Sequence, residues 1–199
     1  MLFRSILDIS KIQSGKYMLD KRDVQLDEIL LAVLSSFRLL ASDAKVTLVN
    51  RISPTLPLVR ADGVKLRQIF TNLVSNAIKF TPERGVVTLE ARHLEDGRIA
   101  CIVSDTGIGM TDQEIQVAMT PFGQVDGGRS RWREGTGLGL PIAKSLVELH
   151  GGEMRVQSEK GQGTELWVLL PPPEQLTIAE ARDAILGHAP LPRSNSQAQ

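Results

Sequence analysis

The sequence predicts a mixed α/β domain, a β-sheet covered by helices, on three observations. Segments with helical periodicity alternate with β-rich runs as far as Pro171-Pro172-Pro173. In the second half the β-rich runs come in pairs joined by short turns containing glycine. Thirteen of the 17 glycines lie after Asp105, so the backbone there has to turn tightly or approach something closely.

Leu2, Ile6, Ile9 and Ile12 recur at three- and four-residue spacings, one apolar stripe of a helix over 2–14 that ends at Gly15. An extended stretch, Lys16 to Leu26, leads to a second helix from Asp27 to about Ala41, with Ile29, Leu30, Val33, Leu34 and Phe37 on its buried face. Val46 to Ile52 reads as a strand and Leu56 to Arg60 as a short extended piece, punctuated by Pro54 and Pro57. Asp62 is the expected N-cap of a third helix that runs to Phe80 and stops at Thr81-Pro82. Val86 to His93 and Arg98 to Ser104 form a hairpin across Glu95-Asp96-Gly97. Thr111-x-x-Glu114 is a capping-box pattern ahead of a short helix, Ile115 to Met119. Residues 120–136 show no period. A helix from Leu138 to Leu149 closes on Gly151-Gly152, and strands Met154 to Ser158 and Glu165 to Leu170 flank Gly161-Gln162-Gly163. A helical pattern over 177–186 and a polar tail follow.

Composition narrows the function classes. Hydrophobic residues make up 42% of 199, enough for one good core with a small appendage at each end. Basic and acidic residues both number 23, without the basic excess of a nucleic-acid binder. The single cysteine, Cys101, excludes a disulfide framework and is expected in a strand core. No apolar run approaches the roughly 18 residues that span a bilayer, and no signal peptide is evident. The expectation is a soluble chain without membrane contact, itself a piece of something longer because it starts inside a periodic helix.

Three motifs carry chemistry. Gln68, Asn72 and Asn76 recur every four residues of the third helix, opposite Leu66, Ile69, Phe70, Leu73 and Ala77, and Lys79 adjoins them. Two stacked amides beside a cation suit a metal ion and the phosphates it carries; an ordinary solvated helix face is the rival. Asp105-Thr106-Gly107-Ile108-Gly109 places a carboxylate at a strand end beside a turn, where it can accept from an amino group such as that of adenine; an ordinary Asp-Gly turn is the rival. Gly135-Thr136-Gly137-Leu138-Gly139-Leu140 leads into a helix and offers N–H groups to an anion, in neither the phosphate-loop nor the dinucleotide spacing. Between them, Phe122 and the alternating Arg129, Arg131 and Arg133 occupy a loop that can close over phosphates or simply be solvated.

In this order, and followed by Gly161-Gln162-Gly163-Thr164, the motifs resemble the catalytic ATP-binding domain of sensor histidine kinases, within the gyrase, Hsp90 and mismatch-repair ATPase superfamily. The resemblance covers about residues 20–171. It implies a Bergerat-type ATP-binding fold, a two-layer α/β sandwich with a mixed sheet backed by three main helices. Residues 17–172 are then the catalytic domain, 1–16 the end of a dimerisation and phosphoacceptor helix, and 173–199 a tail. It implies ATP and Mg²⁺ as cofactors. Asn72 and Asn76 would hold the metal and phosphates, Lys79 would contact phosphate, and Asp105 would accept from adenine. Gly107 and Gly109 would shape the adenine pocket, with Gly161, Gly163 and Thr164 on its side. Phe122 would anchor one hinge of a lid bearing Arg131. Gly135, Thr136, Gly137, Leu138 and Gly139 would form the other hinge and bind phosphate.

The family's phosphoacceptor, a histidine followed by an acid, has no match at His93, His150 or His188. His93 reads as a strand residue and His150 as a helix end. The resemblance therefore implies phosphoryl transfer to a histidine on a domain absent from this chain, then to the receiver domain of a response regulator. A cytoplasmic location follows, with membrane attachment of a full-length protein left open. Gln68 stands where the superfamily's hydrolysing members carry a glutamate, and it cannot act as a base, so slow ATP hydrolysis is expected. A serine-directed kinase and a nucleotide-binding pseudokinase scaffold are the rival readings.

Overall fold

A computed structural model of the chain describes residues 17–124 and 136–172. The helix read over 2–14, the lid arginines Arg129, Arg131 and Arg133, Gly135, His188 and the tail pattern over 177–186 lie outside the described residues.

Helix α1 (Leu26–Asp43) opens the domain after a short strand, β1 (Arg22–Val24). It starts one residue earlier than Asp27. Gln25 supplies no side-chain cap, and Asp27 and Glu28 occupy the first turn, where the helix dipole favours acids. Strands β2 (Thr47–Ile52) and β3 (Val59–Ala61) follow, and β3 pairs antiparallel with β1 in a two-stranded ribbon. Helix α2 (Gly63–Phe80) begins and ends where the sequence predicts. Asp62 caps it by accepting from Val64 N and Lys65 N, both at 3.1 Å.

The hairpin of β4 (Val86–His93) and β5 (Ile99–Asp105) turns at Gly97, whose φ of 85° favours glycine. Helix α3 (Asp112–Ala118) carries the full capping box, with Thr111 as N-cap and Glu114 at the third helical position. The box itself therefore places the helix start at Asp112, not at Ile115. Helix α4 (Gly139–Leu149) and strands β6 (Glu153–Glu159) and β7 (Gly163–Leu170) complete the domain. Strand β7 begins earlier than Glu165 because Gly163 and Thr164 pair with Glu159 and Ser158.

The five-stranded sheet has the order β2-β4-β5-β7-β6. Only β2 and β4 run parallel, so the sheet is mixed as expected. Helices α1, α2 and α4 supply the buried residues that cover one face, while α3 has none. Phe70 at the centre of α2 is fully buried, among Leu30, Leu66, Leu73, Leu89, Leu146 and other members of one continuous core. Cys101 points into that core, and burial pushes its thiol pKa up, which keeps it inert. Strand β5 does not alternate: Ala100 and Ile102 are buried on its other face, with Leu169, Leu94 and Trp167.

Removing the Phe70 ring is expected to lower the unfolding free energy by about 3–5 kcal/mol. Leu39→Ala, on a side chain 74% exposed, should change it by less than about 0.5 kcal/mol. Urea unfolding followed by circular dichroism checks the contrast.

Candidate nucleotide site

Helix α2 is half core and half site. Its buried stripe fixes the rotation, which leaves Gln68, Asn72, Asn76 and Lys79 on the other flank, all partly exposed. The start of α4 lies directly against that flank. Asn72 Nδ2 donates to Gly139 O at 3.2 Å, and a Cβ added to Gly139 would come within 3.7 Å of Asn76 Nδ2. Since the Asn72 nitrogen is turned to Gly139, its amide oxygen faces the other way, as an acceptor. Among the described residues no side chain caps α4, and the Gly139 and Leu140 N–H groups of its first turn, which Pro141 follows, are placed for an anion. Leu138 itself is 1% exposed; its side chain belongs to the core and only its backbone faces the site. Lys79 extends over the Phe80 ring, 4.9 Å from its centroid. Gln68 Oε1 accepts from Lys65 Nζ at 3.2 Å.

The second half of the site begins where α2 ends. Ile108 N donates to Phe80 O at 3.2 Å, which seats the Asp105–Gly109 turn on the helix C-terminus. Asp105 is the last residue of β5, between Val87 and Thr164. Its carboxylate accepts from Gly107 N at 2.8 Å. Burial pushes its pKa up to about 6, against the opposing effect of the Gly107 and Thr164 backbone bonds. Gly109, at φ 61°, passes so close to β6 that an added Cβ would sit 1.8 Å from Glu159 O. Only glycine fits there. Gly161 N donates to Ile108 O at 2.8 Å, so the turn is clamped from both sides. A shallow, open depression of about 370 Å³ at this end of the sheet is lined by Ser104, Asp105, Gln157, Ser158, Gly163 and Thr164 among others, and by no residue of α2 or α4.

Ser158 was not read from the sequence, yet it holds this end together. Its hydroxyl accepts from Met110 N at 2.8 Å, donates to Gly163 O at 2.8 Å and bonds Thr164 Oγ1 at 2.9 Å. Its only sequence signal is a place opposite Thr164 in the β6–β7 pairing.

Phe122 and Gly137 bring together the two ends of the stretch that contains the arginines. Phe122 N donates to Gly137 O at 3.0 Å, and both residues have positive φ, 64° and 66°. The Phe122 side chain is 60% exposed, so its described tie to the site is through the backbone. Thr136 Oγ1 accepts from Leu138 N at 3.3 Å.

The donor chemistry fits a nucleotide with a hard cation. Asn72 and Asn76 offer amide oxygens, and no cluster of three His, Cys, Asp or Glu able to hold a metal occurs among the described residues. Such a set suits Mg²⁺, which is typically held by a few protein groups together with phosphates and waters. Here Asn72 and Asn76 of α2 would supply the few protein groups.

Asp105 yields a stability prediction. Its pKa is above the usual 3.8 in the folded chain, so the native state holds its proton more tightly than the unfolded state. Stability is then lost as pH rises from about 4 to about 6. Asp105→Asn is expected to raise the melting temperature at pH 7.5, with the gain vanishing below about pH 4. Thermal melts at the two pH values check this.

Comparison with known proteins shows the family and the fold. The family model described as histidine kinase-, DNA gyrase B-, and HSP90-like ATPase matches residues 61–174. The sensor protein GacS of Pseudomonas syringae pv. syringae is 38% identical over 96% of this chain and 23% of its own length. The histidine protein kinase DivJ of Caulobacter vibrioides is 39% identical over 85% of this chain and 28% of its own length. The chain thus spans about a quarter of the length of these relatives. The crystal structure of full-length ShkA in complex with AMPPNP superposes with a TM-score of 0.74 at 32% identity, over 84% of this chain and 34% of that one. The chain belongs to the histidine kinase-, DNA gyrase B- and HSP90-like ATPase family, and these relatives within it are sensor kinases.

Proposed function

We propose that this chain is the ATP-binding catalytic part of a sensor histidine kinase. It binds ATP with Mg²⁺ and presents the γ-phosphate to a histidine on a separate dimerisation domain. A single observation carries the reading: one helix, α2, is bonded to both candidate ends of a nucleotide. Asn72 meets the uncapped start of α4, and Phe80 O seats the turn that bears Asp105. Residues 17–172 form the catalytic unit in this reading, with 1–16 leading from a phosphoacceptor helix and 173–199 as a tail.

Asp105 accepts from the adenine amino group, and Gly107, Gly109, Gly163 and Thr164 shape the walls around the base. The first-turn N–H groups of α4, with Lys79, neutralise phosphate charge. Asn72 and Asn76 orient the phosphates and supply the protein ligands to Mg²⁺. When bound, the ion neutralises charge that develops on the phosphates. The chain's own contribution is positioning, in line for an imidazole nitrogen from the partner domain. A nitrogen–phosphorus bond forms as the bond between the γ-phosphorus and the bridging oxygen breaks, and ADP leaves. Phe122 acts as one hinge, and Gly135, Gly137 and Gly139 as the other, of a lid that bears Arg131. The phosphohistidine then serves a response-regulator receiver domain, with cytoplasmic signalling as the setting.

Gln68 has no basic group with which to activate water, and Lys65 already engages its oxygen. The chain should therefore bind ATP and hydrolyse it negligibly. Calorimetric titration is expected to show Mg-ATP binding to the wild type, weakened about tenfold or more in Asp105→Asn, the loss of one charged hydrogen bond. Phosphate release should stay near background, and a histidine-bearing dimerisation domain should become phosphorylated when added. Binding without transfer favours a scaffold; no binding by the folded chain overturns the catalytic reading.

A further inference from the structure

Helices α2 and α4 lie antiparallel and are joined at both ends of α4. At the site end, Asn72 Nδ2 donates to Gly139 O at 3.2 Å. At the far end, the Asp62 backbone N–H donates to His150 Nε2 at 3.1 Å. Nε2 accepts, so the ring proton is on Nδ1, which donates to Leu146 O at 2.7 Å. The two spans match to about one residue: ten residue steps from Asp62 to Asn72 and eleven from Gly139 to His150, about 15 and 16.5 Å at helical rise.

We infer that His150 is a positioning residue for the phosphate end of the nucleotide site, fixing the axial register of α4 against α2 so that Gly139 stays beside Asn72 and Asn76. The inference rests on the reading of those three residues as the phosphate end. His150 itself is remote from the nucleotide and acts through the helix pair.

The hydrophobic burial that holds two helices together is non-directional, and their interlocked side chains favour a register without a single fixed anchor. Two directional bonds at opposite ends of α4 supply such anchors. A planar ring with an acceptor on one side and a donor on the other can link backbone groups of two different helices. His150 is 4% exposed and Asp62 8%, so water does not readily replace either partner. Burial lowers the ring's pKa, with Lys21 acting the same way and Leu146 O and Asp62 opposing, and the neutral ring keeps its acceptor. Asp62 is itself committed: its carboxylate caps α2 and accepts from Asp20 N at 3.2 Å. The pin is thus tied to the N-cap of the helix that carries the amides.

The adenine end is built differently. Asp105, Gly109, Gly163 and Thr164 stand on β5, β7 and their loops, clamped by Ser158 and Glu159 of β6. A pin between α2 and α4 should therefore matter to the phosphates and not to the base. A residue that merely supported the core would matter equally to both.

The experiment compares Mg-ATP and adenosine binding to the wild type, His150→Asn and His150→Gln by calorimetry. Glutamine puts an amide oxygen where Nε2 stands and keeps the acceptor for Asp62. Asparagine puts its amide where Nδ1 stands, keeping the Leu146 side and losing Asp62. His150→Asn is expected to weaken Mg-ATP about fivefold and leave adenosine unchanged, with His150→Gln close to wild type. Equal weakening of both ligands, no change in either, or a glutamine variant that behaves like asparagine overturns the inference. Should His150→Asn not fold, hydrogen exchange on the wild type decides. By reciprocity, Mg-ATP should slow exchange of the Asp62 amide relative to β5 amides, and adenosine should not; equal slowing by both overturns the inference. A wild type that binds ATP no better than adenosine removes the phosphate end itself, and that failure is visible without any variant.

Discussion

Helix α2 has to serve two environments at once, and the rest of the structure is arranged around that constraint. Leu66, Ile69, Phe70, Leu73, Val74, Ala77 and Ile78 bind it to the sheet, which leaves its polar flank no choice of direction. Hydrophobic burial sets its rotation, but three directional contacts set its place along the axis. Asp62 caps its start, Asn72 reaches Gly139 in its middle, and Phe80 O receives Ile108 N–H at its end. Asn72, Asn76 and Lys79 stand on this helix, and Gly139 and the Asp105–Gly109 turn are bonded to it.

The electrostatics of the site and of the surface differ in kind. Arg155–Glu153, Arg98–Asp96 and Arg22–Asp20 are exposed pairs two residues apart, each contributing little to stability. Asp105 is the opposite case, a carboxylate that burial holds well above its usual pKa and that only two backbone bonds ease. An isolated carboxylate in that position is unfavourable for folding alone. A ligand that donated to it would offset part of that penalty.

Much of this was legible in the sequence because the signals are local. The three-and-four spacing of α2, the Asp62 cap, the Thr111–Glu114 box and the Gly97 turn each depend on residues within one turn of each other, and each appears at its expected place. Asn72 and Asn76 could be placed on one flank for the same reason. Ser158 could not, since its role depends on Met110, 48 residues away, and on the β6–β7 register. The parallel pairing of β2 with β4 and the β1–β3 ribbon are likewise long-range. His150 read correctly as a helix end beside two glycines, but its bond to Asp62 spans 88 residues and no local pattern signals it. The outer cluster of Ala100, Ile102 and Leu169 breaks the alternation from which β5 would be read as one-sided.

The most direct test of the central claim, that α2 joins an adenine end to a phosphate end, is a nuclear magnetic resonance titration of the labelled chain with adenosine and then with Mg-ATP. The account predicts that adenosine moves the amide signals of Gly107, Gly109 and Thr164 alone. Mg-ATP should move these and also the side-chain amides of Asn72 and Asn76 and the backbone amide of Gly139. If Mg-ATP leaves the Asn72, Asn76 and Gly139 signals where adenosine left them, α2 carries no phosphate end and the account is wrong.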